Sequence, residues 1–230
     1  MNELLFVVTI IINFVGIILA YKWFGKTGLF VWIGFATVAA NIEVSKCINM
    51  FGISATLGNV IYGTTFLATD ILSEKYGGKE ARKGVLVGFF TMIFFTVITQ
   101  INLLFVPNEQ DFVSEAMKTV FGLMPRLCIS SMATYLFSNT LDTYLFDWIR
   151  KISPKHLWLR NNGSTIISQF FDSIVFNALA FIGVYPTKTI IEIIITTYVI
   201  KVVIALCDTP FMYLSKKIKD VEEEKWILKK

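Results

Sequence analysis

The sequence predicts an all-α polytopic membrane protein with about seven transmembrane segments, and three observations carry that reading. Apolar residues make up 55% of the chain and charged residues 17%, against about 25% charged in ordinary soluble domains. Mean hydropathy is +0.64, and apolar runs close to the roughly 20 residues that a spanning helix needs recur from end to end. The basic residues gather in regions two segments apart, as loops on one face of a membrane do.

Taken in order, segment one is Leu4–Tyr21. Its start carries Glu3 and no Lys or Arg, and no small-residue cleavage pattern follows, so it reads as a retained helix rather than a signal peptide. Segment two covers about Leu29–Asn49 and segment three about Ala55–Ser73. Segment four runs Gly84–Val106, segment five Thr119–Ile149, segment six Ser164–Val184 and segment seven Thr189–Leu214. Residues 1–215 form a single transmembrane domain, and residues 216–230 a basic tail. Between segments two and three, Asn41, Glu43, Lys46 and Asn49 and then Gly52, Gly58 and Gly63 loosen the pattern. A re-entrant stretch over 41–63 that lines a cavity would reduce the count to six.

Charge sets the orientation. Lys22 and Lys26 follow segment one, and Lys75, Lys79, Arg82 and Lys83 follow segment three. Arg150, Lys151, Lys155 and Arg160 follow segment five, and Lys216, Lys217, Lys219, Lys225, Lys229 and Lys230 occupy the tail. Only Lys46, Lys118 and Lys188 lie in loops on the other side. The positive-inside rule puts the amino terminus outside and the tail in the cytoplasm. The net charge of +4 is therefore topological and does not point to nucleic acid. Cys47, Cys128 and Cys207 are scattered, and His156 is the lone histidine. No disulfide framework, metal site or cofactor is expected from such a set.

Chemistry concentrates in Leu159–Asn177. On a helix, Thr165, Gln169, Asp172 and Phe176 fall at i, i+4, i+7 and i+11, one face carrying an amide, a carboxylate and a ring. A charge at mid-membrane costs about 2.5–3.5 kcal/mol on insertion scales, so it faces a cavity or a partner. Ser138-Asn139-x-x-Asp142-Thr143-x-x-Phe146 in segment five echoes Ser168-Gln169-x-x-Asp172-Ser173-x-x-Phe176 in segment six. The two segments run in opposite directions, an inverted pairing that recurs around transporter sites. Tyr135 and Ser131 share the segment-five face with Asp142. Lys201, midway along segment seven, needs a counter-charge from Asp142, Asp172 or Asp208. Asp208-Thr209-Pro210 places a helix break near the inner leaflet. Thr69-Asp70-x-x-x-Glu74-x-Tyr76-Gly77 puts two carboxylates where segment three meets the cytoplasm. Arg126 reads as snorkelling outward or pairing with Glu115 or Asp111. Asn41 opens the loosened stretch and joins the candidates on that ground.

These residues together resemble the queuosine precursor transporter family, also called the vitamin uptake transporter family. The resemblance covers about Asn41 to Tyr213. It rests on the Thr69–Gly77 motif with Arg82, on Ser131 to Asp142, and on Leu157-Trp158-Leu159-Arg160-Asn161-Asn162 with Ser164. Gln169-x-x-Asp172, Lys201 and Asp208-Thr209-Pro210 complete it. One departure is Ile61-Tyr62-Gly63, which stands where the family pattern has a proline before Asp70.

The resemblance implies a bacterial inner-membrane carrier that imports 7-cyano-7-deazaguanine, 7-aminomethyl-7-deazaguanine or queuine for tRNA modification. Its partners would be that small molecule and the lipid bilayer, with monomer and homodimer both open. A guanine-like ring offers adjacent N–H donors that suit Asp172 or Asp142 and a carbonyl that suits Gln169 with Asn139. Its flat faces suit Phe176, Tyr135 or Phe146. Lys201, Asp70 and Asn41 complete the binding candidates, and Asp208, Glu74 and Arg160 are candidates for gating or coupling. Two other readings compete. One is a substrate-binding subunit served by a separate ATPase, since this chain has no P-loop. The other is an intramembrane enzyme using Asp142 and Asp172 as a proton-sharing dyad.

Overall fold

A computed structural model describes residues 1–152 and 157–218, except for the side chains at 139, 142, 143, 146, 147, 150, 157–165, 209 and 216. The basic tail beyond residue 218 lies outside the described residues. The first helix, α1 (Asn2–Glu43), has 42 residues and is broken at Gly25 (φ 57°, ψ −137°), a conformation that side chains with a Cβ essentially exclude. The break folds the helix back on itself. A Cβ on Gly28 would lie 2.1 Å from the Ala20 carbonyl oxygen, although eight residues on a straight helix span about 12 Å. The arms of α1 thus correspond to segments one and two, with Lys22 and Lys26 flanking the tip.

Helix α1 ends at Glu43, short of the Asn49 limit that the sequence suggests. The chain then forms an antiparallel hairpin of β1 (Cys47–Met50) and β2 (Ile53–Thr56), pairing Cys47 with Thr56 and Met50 with Ile53. Its two-residue turn has φ of 51° at Phe51 and 82° at Gly52, the doubly positive pattern that matches the twist of a tight hairpin. The backbone groups that a two-stranded ribbon leaves unpaired find partners on neighbouring helices. Asn2 Nδ2 donates to Asn49 O (2.7 Å), and the Phe51 amide donates to Glu3 Oε1 (3.2 Å). The Ser54 amide donates to Glu192 Oε2 (3.1 Å), and its carbonyl accepts from Thr196 Oγ1 (2.9 Å). The loosened stretch is therefore a regular hairpin pinned to α1 and to α7 (Thr187–Lys217), an element absent from the all-α expectation.

Helix α2 (Asn59–Tyr76) starts after Gly58, and Gly77 alone separates it from α3 (Gly78–Asn102). It is enclosed by α1, α3 and α7, with Val60, Ile61, Gly63, Thr64, Leu67, Ala68, Ile71 and Leu72 buried. Small residues permit this closeness: a Cβ on Gly63 would meet Ile204 of α7 at 2.4 Å, the tight approach that holds helices together without a hydrophobic driving force. Trp32 of α1 donates its indole N–H to Thr64 Oγ1 of α2 at 2.8 Å.

A short helix, α4 (Ser114–Phe121), leads into α5 (Met124–Ile152), which packs along α6 (Leu157–Phe181). They are antiparallel, because Arg126 at the start of α5 reaches the end of α6. Its Nε donates to Leu179 O (2.7 Å) and its terminal nitrogen to Ile182 O (2.6 Å). This replaces the snorkelling or acidic pairing read from the sequence, since a helix end offers a cation unpaired carbonyls and negative dipole charge. Arg126→Ala should cost about 1.5–3 kcal/mol, as charged hydrogen bonds do, read as a lower melting temperature in detergent. Helix α7 (Thr187–Lys217) continues through Pro210. The expected break there does not end the helix, because one proline removes only one backbone hydrogen bond.

Among the described residues, four helical stretches are long and apolar enough to cross a membrane: Asn2–Glu43, Gly78–Asn102, Ser114–Ser138 and Thr187–Ser215, with Ile166–Phe181 a shorter apolar run. Large apolar side chains point outward along them, for instance Ile191, Ile195, Val199 and Val203 at four-residue steps on α7. Such a stripe suits acyl chains as solvent. The molecule is a multi-pass membrane protein built of helices.

Candidate functional site

Five helices converge on a small, partly open cavity. Helix α1 contributes Ala40 and Asn41, Val44 follows directly after it, and the start of α2 contributes Gly58, Asn59 and Tyr62. Ser131 and Thr134 come from α5, Asp172 and Phe176 from α6, and Lys201 from α7. The cavity lies beside the β-hairpin end of the bundle, because Gly58 seats against the Ala40 carbonyl, where a Cβ would be 2.5 Å from the oxygen.

At the centre is an ion pair. Lys201 Nζ donates to Asp172 Oδ2, and the two side chains are only 9% and 6% exposed. Of the three aspartates that could have answered Lys201, the fold brings Asp172 to it, because α6 and α7 run antiparallel and in contact. The ammonium also lies 5.9 Å from the centroid of the Tyr62 ring, within reach of a cation–π attraction. One carboxylate can accept several hydrogen bonds, so Asp172 keeps acceptor capacity after pairing with the lysine.

Across the cavity, Ser131 Oγ donates to Asn41 Oδ1 (2.9 Å) and Asn41 Nδ2 donates to Thr37 O (2.8 Å). This ties α1 to α5 and fixes which way the amide points. Asn59 Nδ2 donates to Thr56 O (3.2 Å). Thr134 Oγ1 is buried and has no hydrogen-bond partner among the described residues. Such a group costs about 1–3 kcal/mol when nothing answers it, so a buried hydroxyl lining a cavity is a ready contact for a bound molecule.

Of the sequence-derived candidates, the fold gathers Asn41, Asp172, Phe176 and Lys201 on this cavity. Gln169 sits one turn along α6, outside the lining set, with Oε1 buried and unpartnered among the described residues. Tyr135 is half-buried and packs edge-on against Phe89, with ring centroids 5.1 Å apart. Asp70 and Glu74 lie two and three turns beyond Tyr62 on α2, and Asp208 two turns beyond Lys201 on α7. None of the three lines the cavity. The side chains of Asn139, Asp142, Phe146 and Arg160 lie outside the described residues, and with them half of the segment-five and segment-six echo. Asn59 and Thr134 are new. Asn59 follows a helix-starting glycine, a signal visible in the sequence, whereas Thr134 is one of many membrane threonines.

A family profile described as putative vitamin uptake transporter matches residues 56–215, a span that holds α2 to α7 and most of the cavity. A Bacillus subtilis (strain 168) protein called a probable queuosine precursor transporter is 50% identical over 210 residues, covering 90% of this chain and 92% of that one. A Haemophilus influenzae protein of the same description is 30% identical over 134 residues, 58% of this chain and 54% of its own length. No solved structure gives a significant match. With the profile spanning most of the chain and the Bacillus relative nearly all of it, this protein belongs to the putative vitamin uptake transporter family.

Proposed function

We propose that this chain imports 7-deazaguanine-type precursors of queuosine across the bacterial inner membrane, binding them in the five-helix cavity. The observation that carries the reading is the Asp172–Lys201 pair, buried beside the Tyr62 and Phe176 rings. The names of the two relatives supply the ligand class. A carboxylate accepts paired N–H groups, an ammonium donates to a ring carbonyl or nitrile, and aromatic faces sandwich a flat heterocycle. Membership of a transporter family favours carriage over chemistry, so the ligand leaves unchanged. Isothermal titration of the purified protein with 7-cyano-7-deazaguanine, guanine and adenine tests the reading. Saturable binding of the deazaguanine is expected, and no binding of it would defeat the proposal.

Thr134→Val gives a sharper check, since it removes the unpartnered hydroxyl and keeps the shape. We expect unchanged or slightly raised thermal stability, and ligand affinity lower by about 1–2 kcal/mol. Lower stability with unaltered affinity would make Thr134 a packing residue. The proposed orientation has the amino terminus outside and the tail inside, from the sixteen basic residues in one set of loops and the tail. A tag on the tail should react with an impermeant reagent only after cells are opened, and labelling in intact cells would reverse the orientation.

A further inference from the structure

We infer that the cavity selects a neutral deazaguanine over one that carries a protonated amine, an inference that rests on the proposed ligand class. Two features of this cavity would attract a cation: the Asp172 carboxylate and the Tyr62 ring face. Lys201 already occupies both, as an ion pair with the first and at 5.9 Å from the centroid of the second. Among the described residues, Asp172 and Lys201 are the charged residues that line the cavity, and their charges offset each other. A ligand ammonium would enter as a second positive charge beside Lys201, and like charges in a partly desolvated site are strongly disfavoured.

Among the described residues, no carboxylate other than Asp172 lines the cavity. Glu43, on the last turn of α1, interacts with the Gly58 backbone amide and does not line the cavity. A neutral substituent faces no such penalty. A nitrile nitrogen at the ring's seven position is an acceptor that the remaining Lys201 N–H groups can meet.

The comparison of 7-cyano-7-deazaguanine with 7-aminomethyl-7-deazaguanine isolates this effect, because the two share the ring and nearly the same size. With the full chain in lipid nanodiscs at neutral pH, the nitrile should bind at least about tenfold tighter than the amine, a modest reading of a like-charge penalty. Lys201→Gln releases the carboxylate and the ring face, so the amine should gain on the nitrile and the ratio should fall toward one or invert. Equal or tighter binding of the amine by the unmodified protein would overturn the inference while leaving the deazaguanine reading intact. A ratio unchanged in Lys201→Gln would place the selectivity elsewhere and also overturn it. Binding of neither ligand would instead defeat the proposed ligand class. If Lys201→Gln does not fold, the ratio in the unmodified protein still decides.

Discussion

Asp172→Asn should reduce uptake of a deazaguanine by about ten- to a hundredfold, the loss of a charged hydrogen bond to the ligand. It should also destabilise the protein, because Lys201 would be left buried without its counter-charge. Breaking a buried pair from one side costs about 3–5 kcal/mol. The two effects can be separated. Asp172→Asn combined with Lys201→Met removes the orphaned charge, so thermal stability should recover much of the loss while uptake stays low. Recovery of both would mean that Asp172 serves only to neutralise Lys201. Near-normal uptake in the single variant would take Asp172 out of the binding site altogether.

Gly28→Ala should be the most damaging change far from the cavity. The new Cβ would meet the Ala20 carbonyl oxygen at 2.1 Å and its carbon at 2.8 Å. Both are backbone atoms of the opposing α1 arm and cannot rotate away. Overpacking costs about 1–3 kcal/mol even where side chains can yield, so the cost here should lie at or above the upper end. Gly78→Ala is the matched control, since nothing lies within 4 Å of its Cβ position and alanine is the better helix former. The melting temperature should fall sharply in the first and hold or rise in the second. Similar melting temperatures would show that the two arms of α1 do not pack as closely as described.

Much of this architecture is legible in the chain itself, because lipid imposes simple demands on sequence. Apolar length announces each long helix, and the Lys and Arg clusters mark one set of loops. Lys22 and Lys26 even bracket the Gly25 turn that divides α1. The hairpin is less visible: four-residue strands have little periodicity, and its stability comes from Asn2, Glu3, Glu192 and Thr196, all distant in sequence. The partners of Arg126 are hidden for a related reason, since they are carbonyls of another helix end, and every residue carries a carbonyl.

The site shows the same division. That Lys201 requires a carboxylate follows from membrane energetics, but which carboxylate depends on how α6 and α7 align. Asp172 and Phe176 announce themselves by sharing a helical face. Tyr62 enters from α2, a helix whose enclosed position lets it carry polar residues, and no local pattern marks its ring as the one beside Lys201.

Energisation follows from the charge balance of the cavity. A neutral ligand in a neutral site gains nothing from the membrane potential, so we expect equilibration without obligatory ion coupling, with cytoplasmic consumption drawing ligand inward. The most direct test is uptake of radiolabelled 7-cyano-7-deazaguanine by liposomes containing only this purified chain, with and without an imposed pH gradient. The prediction is saturable entry that stops at the external concentration, is indifferent to the gradient, and is lost in Asp172→Asn. No entry above that of empty liposomes, or entry only when an ATPase partner and ATP are supplied, would contradict the claim that this chain is itself the carrier.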